Sequence, residues 1–284
     1  MQIGYFPGCS LTSTAREYDA TVRQVVQNCG FELVEIDDWN CCGASPADAV
    51  SQELVLALSA KNLAKAQRQG LTSILSPCPA CHSHLLQAQQ GLAETSPHRR
   101  RILELIHEAS VPAVTLRHLV DFLYRDVGID KLKATVVKPL TGMTLASYYG
   151  CLTRLKAIDM EDRENPAMLD EIIAALGATA VDWPHKTECC GAGLAITSTQ
   201  TVLRLAGDIL AGARSAGAQA LVAVCPLCQA NLDMRQAELD RKRPCPFNLP
   251  VIYLSQLILI AQGKSFNEAG FDKHLISPRS IFQQ

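Results

Sequence analysis

The chain has 284 residues, with 26 basic and 28 acidic side chains and a formal charge of −2. That length suits about two domains, and 48% hydrophobic with 19% charged residues describes a globular protein, which excludes disorder and collagen. The near-neutral balance argues against nucleic acid as the main partner, because neutralising phosphates needs a basic surface. The anomaly is 12 cysteines. Met1 leads directly into Ile3, Gly4, Tyr5 and Phe6, with neither the basic nor the apolar region of a signal peptide. The most apolar late stretch, residues 251–261, is interrupted by Ser255 and Gln256 and is too short to span a bilayer; it reads as core or interface. The expectation is therefore a cytoplasmic protein without a membrane span. Thiols there stay reduced, so clustered cysteines point to metal or redox chemistry.

In chain order, residues 3–6 form a short apolar run that predicts a buried strand ending near Cys9. Residues 18–29 predict a helix closed by Gly30, and residues 31–36 a second strand. Cys41-Cys42-Gly43 then reads as the opening of a helix over residues 47–69, with Ser45 as N-cap and Pro46 in the first turn. A third strand over residues 72–75 leads into Cys78-Pro79-Ala80-Cys81 and a further helix. The run His98-Arg99-Arg100-Arg101 reads as a loop or helix start.

The same grammar then recurs: a strand over 145–149 before Cys151, a helix over 166–176 closed by Gly177, and a strand over 178–183. Cys189-Cys190-Gly191-Ala192 follows, then a strand over 220–224 and Cys225-Pro226-Leu227-Cys228. Pro112-Ala113-Val114 is echoed by Pro250-Val251-Ile252. The chain is thus a duplication, with boundaries at 1–138 and 139–284 and a linker within residues 131–142. The fold class is α/β: two pseudo-symmetric halves, each a small, mostly parallel sheet with flanking helices and its cysteines on loops at strand ends. From Lys264 onward the sequence reads as a partner-facing arm or a loose tail.

Ten cysteines belong to the repeats, as Cys-x31-Cys-Cys-x35-Cys-x2-Cys and Cys-x37-Cys-Cys-x34-Cys-x2-Cys. Five thiolates per half exceed the four of a closed zinc site. Adjacent cysteines suit neighbouring irons of a cluster better than one small ion, and no histidine recurs at equivalent motif positions. Cys29 reads as core packing, and Cys245, between two prolines, has no assigned role. His82 and His84, next to Cys81, are candidate proton donors, although histidines on a helix surface are commoner. Lys186, Arg154 and Lys156 lie near cysteines and read either as anion-binding groups or as solvated charges.

With both five-cysteine motifs, Arg117-His118-Leu119, residues 123–128 and the closing Pro250-Val251 with Leu257, the chain resembles the B subunit of heterodisulfide reductase, a CCG-domain family with bacterial heterodisulfide reductase-like members. The resemblance implies two non-cubane [4Fe-4S] clusters. Their implied ligands are Cys9, Cys41, Cys42, Cys78 and Cys81 in one half, and Cys151, Cys189, Cys190, Cys225 and Cys228 in the other. It implies partners too: a ferredoxin-type protein like the family's C subunit, a flavin-containing protein like its A subunit, and a disulfide or carrier-bound thiol as substrate. The chain itself lacks a ferredoxin-type cysteine run. Members from methanogens carry histidine after the first cysteine of the second half, where this chain has Leu152.

The functional expectation is an iron–sulfur catalytic component of a complex, one that reduces or forms a disulfide: an oxidoreductase acting on sulfur groups. Two one-electron centres on either side of one S–S bond match a two-electron reaction. The alternatives are an electron-transfer CCG component of a lactate, glycolate or glycerol-phosphate type complex, and a zinc-stabilised scaffold.

Overall fold

The computed structural model describes residues 2–282 apart from 45, 46, 48, 154–157, 159, 161 and 242–245. The sequence expectations placed on Ser45, Pro46, Arg154, Lys156 and Cys245 lie outside the described residues.

Among the described residues, eight short strands form two sheets. Strands β1 (Gln2–Tyr5), β2 (Glu32–Glu35), β3 (Ser73–Ser76) and β4 (Thr115–His118) are ordered β2-β1-β3-β4. Strands β5 (Thr144–Tyr148), β6 (Thr179–Ala180), β7 (Ala220–Ala223) and β8 (Val251–Tyr253) repeat that order as β6-β5-β7-β8. Every pairing is parallel, for example Ile3 with Leu33 and Val222 with Ile252. Parallel strands need helical crossovers, which cover both faces, so central strands read as unbroken apolar runs. Every residue of β7 and β8 is buried, as this requires. The expected α/β duplication is therefore observed.

The halves are interlocked. The first long helix of the first half, Arg16–Asn28, packs on the last long helix of the second, Leu254–Ala261. In reverse, Met168–Ala175 packs on Ile129–Ala134. Thr21 and Ser255 share a buried hydroxyl hydrogen bond of 2.7 Å, and Tyr124 Oη donates to Glu171 at 2.8 Å. One core cluster draws on both halves, including Tyr5, Tyr18, Val22, Leu152, Ile172, Tyr253 and Leu257. Each half has a further cluster of its own. The segment 251–261 is core throughout. Cys29 is core as expected, and burial pushes its thiol up to about 11.

Several local expectations are corrected. Cys-Cys-Gly does not open a long helix: Gly43 and Gly191 adopt φ of +89° and +75°, left-handed conformations outside the helical region, and Gly191 is followed only by a short 3-10 turn, Ala192–Leu194. The helices start later, at Gln52–Arg68 and Thr199–Ser215. The first is capped by Ser51, whose Oγ accepts from the Leu54 N–H. The expected linker is partly helical through Ala134, and the Val137 and Lys138 N–H groups donate to Ala261 O at 2.8 Å. His98 precedes the helix Arg99–Ile106, as a helix start requires.

The tail is neither loose nor free. Ala269, Phe271 and His274 are buried, and Gln256 Nε2 donates to Ala269 O at 2.9 Å. Asp233 accepts from the Leu275 and Ile276 N–H groups at 2.7 and 3.1 Å. We predict that Phe271→Ala lowers unfolding free energy by about 3–5 kcal/mol, measured by denaturant titration. A change below about 1 kcal/mol would mean the tail contributes no core.

Candidate functional site: two facing cysteine nests

In a sheet ordered β2-β1-β3-β4, the chain leaves the two central strands toward opposite sides. The crevice at their carboxyl ends is where open α/β sheets collect ligands. Both crevices here are occupied by cysteine loops. Strand β1 ends at Tyr5 and leads to Cys9, and β3 ends at Ser76 and leads to Cys78. Strand β5 ends at Tyr148 before Cys151, and β7 at Ala223 before Cys225.

Cys78 and Cys225 are the N-caps of helices Pro79–Gly91 and Pro226–Met234, with proline in the first turn. The helix dipole there favours negative charge on sulfur. Cys81 and Cys228 lie one turn further along and meet the Cys-Cys-Gly loops: Cys42 Sγ is 3.5 Å from Cys81 Sγ, and Cys190 Sγ is 3.5 Å from Cys228 Sγ. Gly43 N–H points at Cys41 Sγ at 3.5 Å and Gly191 N–H at Cys189 Sγ at 3.4 Å. These donations come from the left-handed glycines, which explains Gly after the cysteine pair. Gly8, at φ +72°, serves close approach, since a Cβ there would lie 2.7 Å from Cys81 Sγ.

Cys9 and Cys41 are within hydrogen-bonding reach of one another, and both are exposed, as is Cys189. The deeper members Cys42, Cys78, Cys81, Cys190, Cys225 and Cys228 are buried, and Cys151 is intermediate. Thus the expected cysteines of each half gather at one place. The two places adjoin, because the carbonyls just before Cys78 and Cys225, Pro77 O and Val224 O, lie 3.4 and 3.3 Å from the single hydroxyl of Tyr18. All described cysteines are free thiols. Among the described residues, no three His, Cys, Asp or Glu side chains converge as a single metal ion requires. The sulfurs instead touch in pairs, all-thiol and without carboxylates, a donor set that fits an iron–sulfur cluster.

Matching polar groups hold the loops. Ser59 Oγ and His84 Nδ1 reach Cys42 O at 3.1 and 3.2 Å, and Asn231 Nδ2 donates to Cys190 O at 2.7 Å. Asn62 brackets Asn40 just before Cys41, accepting its N–H at 2.9 Å and donating to its O at 2.8 Å. Tyr148 Oη donates to Glu188 O at 2.7 Å just before Cys189.

Several site expectations change. His82 and His84 are buried rather than on a helix surface, and His82 packs edge-on against His118, with ring centroids 5.9 Å apart. Lys186 is neither a solvated charge nor a free anion site: it is buried, and its Nζ pairs with Asp170 at 3.0 Å. Its carbonyl accepts the Tyr149 and Gly150 N–H groups, which steers the chain into Cys151. Leu152 is buried in the shared core. Sequence patterning gives no role to Tyr18 or His118, whose polar ends lie between the two Cys-Pro-x-Cys turns. Tyr18 enters the sequence reading only as part of the predicted helix 18–29 and His118 only in the motif that carries the resemblance, and nothing in the spacing reveals that the Tyr18 hydroxyl crosses to the other half.

The family model for the cysteine-rich CCG domain matches twice, over residues 3–86 and 145–233. The chain belongs to the CCG cysteine-rich domain family. It is 29% identical to the 8-methylmenaquinol:fumarate reductase membrane anchor subunit of Wolinella succinogenes, covering 99% of both chains. It is 28% identical to the B subunit of the ferredoxin/F(420)H(2)-dependent CoB-CoM heterodisulfide reductase of Methanosarcina acetivorans, over 97% of this chain and 94% of that one. A protein of Archaeoglobus profundus, named as like the heterodisulfide reductase B subunit, is 29% identical over 93% of this chain and 91% of its own. In fold, the chain is similar to a hypothetical protein of Helicobacter pylori, with a TM-score of 0.73 and 16% identity. The similarity covers 96% of this chain and spans about half of that one. Among the described residues, no helix is long and apolar enough to cross a membrane.

The thiol pairs have a pH signature in the metal-free chain. Hydrogen bonding from Cys81 holds Cys42 down at about 5, and the same bond, from the other side, pushes Cys81 well above its ordinary value. The pair therefore keeps one proton over a wide range. Its contribution to stability is absent below about pH 5 and grows up to the thiol value of about 8.5 in the unfolded chain. Above that it declines, because folded Cys81 keeps a proton that the unfolded chain releases. Thiolate absorbance at 240 nm checks this: a step near pH 5 is expected, and Cys42→Ser removes it.

Proposed function

We propose that the ten motif cysteines hold two non-cubane [4Fe-4S] clusters, one in each of the units 1–138 and 139–284, and that the chain is the iron–sulfur catalytic subunit of a heterodisulfide reductase-like complex. The observation that supports this reading is the convergence of the two Cys-Pro-x-Cys turns, whose preceding carbonyls, Pro77 O and Val224 O, lie 3.4 and 3.3 Å from one hydroxyl, Tyr18 Oη. It brings two equivalent sulfur nests against each other rather than onto separate surfaces. Cys9, Cys41, Cys42, Cys78 and Cys81 serve one cluster, and Cys151, Cys189, Cys190, Cys225 and Cys228 the other.

When bound, a pair of clusters supplies two one-electron centres for one S–S bond. The reaction balances as disulfide plus two electrons plus two protons giving two thiols. This chain's own residues shape the place where that happens. Exposed Cys9, Cys41 and Cys189 mark its open side. The buried Cys-Pro-x-Cys turns form the dry side, where low dielectric strengthens every polar contact. Leu152 offers no proton at the second-half nest, so protons reach the substrate from solvent or from the first half, where His82 and His84, beside Cys81, are the candidates. Electrons come from a separate ferredoxin-type partner, itself served by a flavoprotein.

A second reading has its own support. The relative from Wolinella succinogenes is named as part of a fumarate reductase, not of a disulfide reductase, and matches over 99% of this chain. On that reading the chain passes electrons within a complex and acts on no disulfide.

Two measurements test these readings. Anaerobically purified protein is expected to hold about eight irons and eight acid-labile sulfides, with Mössbauer parameters unlike those of cubane clusters. The Cys41→Ser/Cys42→Ser variant should lose about half of that iron. Zinc without sulfide would refute the cluster assignment. With a chemical reductant and a CoB-CoM heterodisulfide, thiol release at two thiols per two electrons is the expected outcome. Cluster oxidation by other acceptors with no thiol release would favour the second reading.

A further inference from the structure

The two Cys-Pro-x-Cys turns are joined through their backbone. Pro77 and Val224 precede Cys78 and Cys225, and their carbonyl oxygens converge on two polar side chains, both from the first half. Tyr18 Oη lies 3.3 Å from Val224 O and 3.4 Å from Pro77 O. His118 Nε2 lies 2.9 Å from Pro77 O and so holds the first-half end, while Tyr18 reaches across. Tyr18 and His118 are both fully buried.

Donor and acceptor roles are fixed by the surroundings. His118 Nδ1 accepts the Val120 N–H at 3.3 Å, so the ring proton sits on Nε2. Burial holds this imidazole neutral, with its pKa pushed down to about 3. His118 thus has one N–H to give, and Pro77 O is nearest. Tyr18 has one O–H to give, and Val224 O is nearest. Two donors meet two carbonyls, one from each half, in a dry core where an unpaired carbonyl would be costly. The Tyr18 ring is fixed by stacking on Tyr253 at 4.1 Å and 8°.

The arrangement breaks the molecule's own symmetry. His118 pairs with Ser76 in β4, and Tyr253 pairs with Ala223 in β8, so Tyr253 occupies the position equivalent to His118. Its hydroxyl does not return the contact but donates to Gln229 Oε1 at 3.3 Å. Both donors of the bridge therefore belong to the first half.

We propose that Tyr18 and His118 are positioning residues: a buried clasp that fixes the spacing of the two Cys-Pro-x-Cys turns and so of the two cysteine nests. This deepens the cluster reading but rests on it only for the spectroscopic part of the test.

The test is amide exchange by mass spectrometry on the full chain, comparing Tyr18→Phe, His118→Leu and His118→Gln with the parent. Tyr18→Phe keeps the ring and its stacking and removes only the hydroxyl. His118→Gln keeps a donor and an acceptor. The expected result for Tyr18→Phe, which loses the crossing bond, and for His118→Leu, which leaves Pro77 O to compete with Val224 O for the single Tyr18 hydroxyl, is exchange about three- to tenfold faster in the first turns after Cys78 and Cys225 together. The second of these turns lies about 200 residues from Tyr18. The helix Thr199–Ser215 should stay unchanged, and His118→Gln should restore most of the protection. Faster exchange everywhere, or only beside the substituted residue, overturns the clasp, as does failure of His118→Gln to rescue.

In iron-loaded protein the spin–spin splitting between the two reduced centres should broaden in Tyr18→Phe and in His118→Leu while iron content holds. Unchanged splitting overturns the clasp. Absence of iron defeats the cluster reading instead, and the exchange experiment on the same protein still decides the clasp.

Discussion

The strand order β2-β1-β3-β4, repeated in β6-β5-β7-β8, sends the loops after the two central strands of each sheet apart at their carboxyl ends. Everything at the candidate site follows from that divergence. It opens a crevice in each half, and the residues that fill it sit at fixed distances after a strand: Cys9 after β1, Cys78 after β3, Cys151 after β5 and Cys225 after β7. A helix N-terminus stands under Cys78 and under Cys225; hydrogen bonding from Cys225 and Cys81 holds the Cys78 thiol well below its ordinary value, whereas Cys225, despite hydrogen bonding from Cys228, is pushed well above it by Cys78 and by burial. The left-handed glycine after each cysteine pair then turns the remaining sulfurs toward the same point.

Duplication alone does not bring two such crevices together. The exchange of helices does. Arg16–Asn28 packs on Leu254–Ala261, and Met168–Ala175 on Ile129–Ala134, so each half completes the other's core. A shared apolar core of this size resists relative sliding, because close-packed interiors are bistable rather than continuously deformable. The approach of the Cys78 and Cys225 turns is thus a property of the whole fold.

The duplication, the α/β class, the parallel sheets and the gathering of the motif cysteines are legible in the sequence. Repeated cysteine spacing and short apolar runs between glycines carry that information directly. What is not legible depends on contacts between distant segments. The pattern after Gly43 predicts a helix at once, but a left-handed φ intervenes, a conformation that spacing cannot reveal. Lys186 reads as a surface charge and is buried against Asp170, sixteen residues away. His84 and Asn231 occupy the same place in the two Cys-Pro-x-Cys helices and hold the same carbonyl. The sequence shows only two different residues six positions after a cysteine. The tail beyond Lys264 reads as polar, but Phe271 and His274 anchor it into the second half.

The most direct measurement is anomalous X-ray scattering at the iron edge from crystals of anaerobically prepared protein. The account predicts two separate iron centres, one beyond the carboxyl ends of β1 and β3 and one beyond those of β5 and β7, flanking the Cys78 and Cys225 pair. A single centre, iron at one half only, or a signal that appears at the zinc edge instead would contradict it.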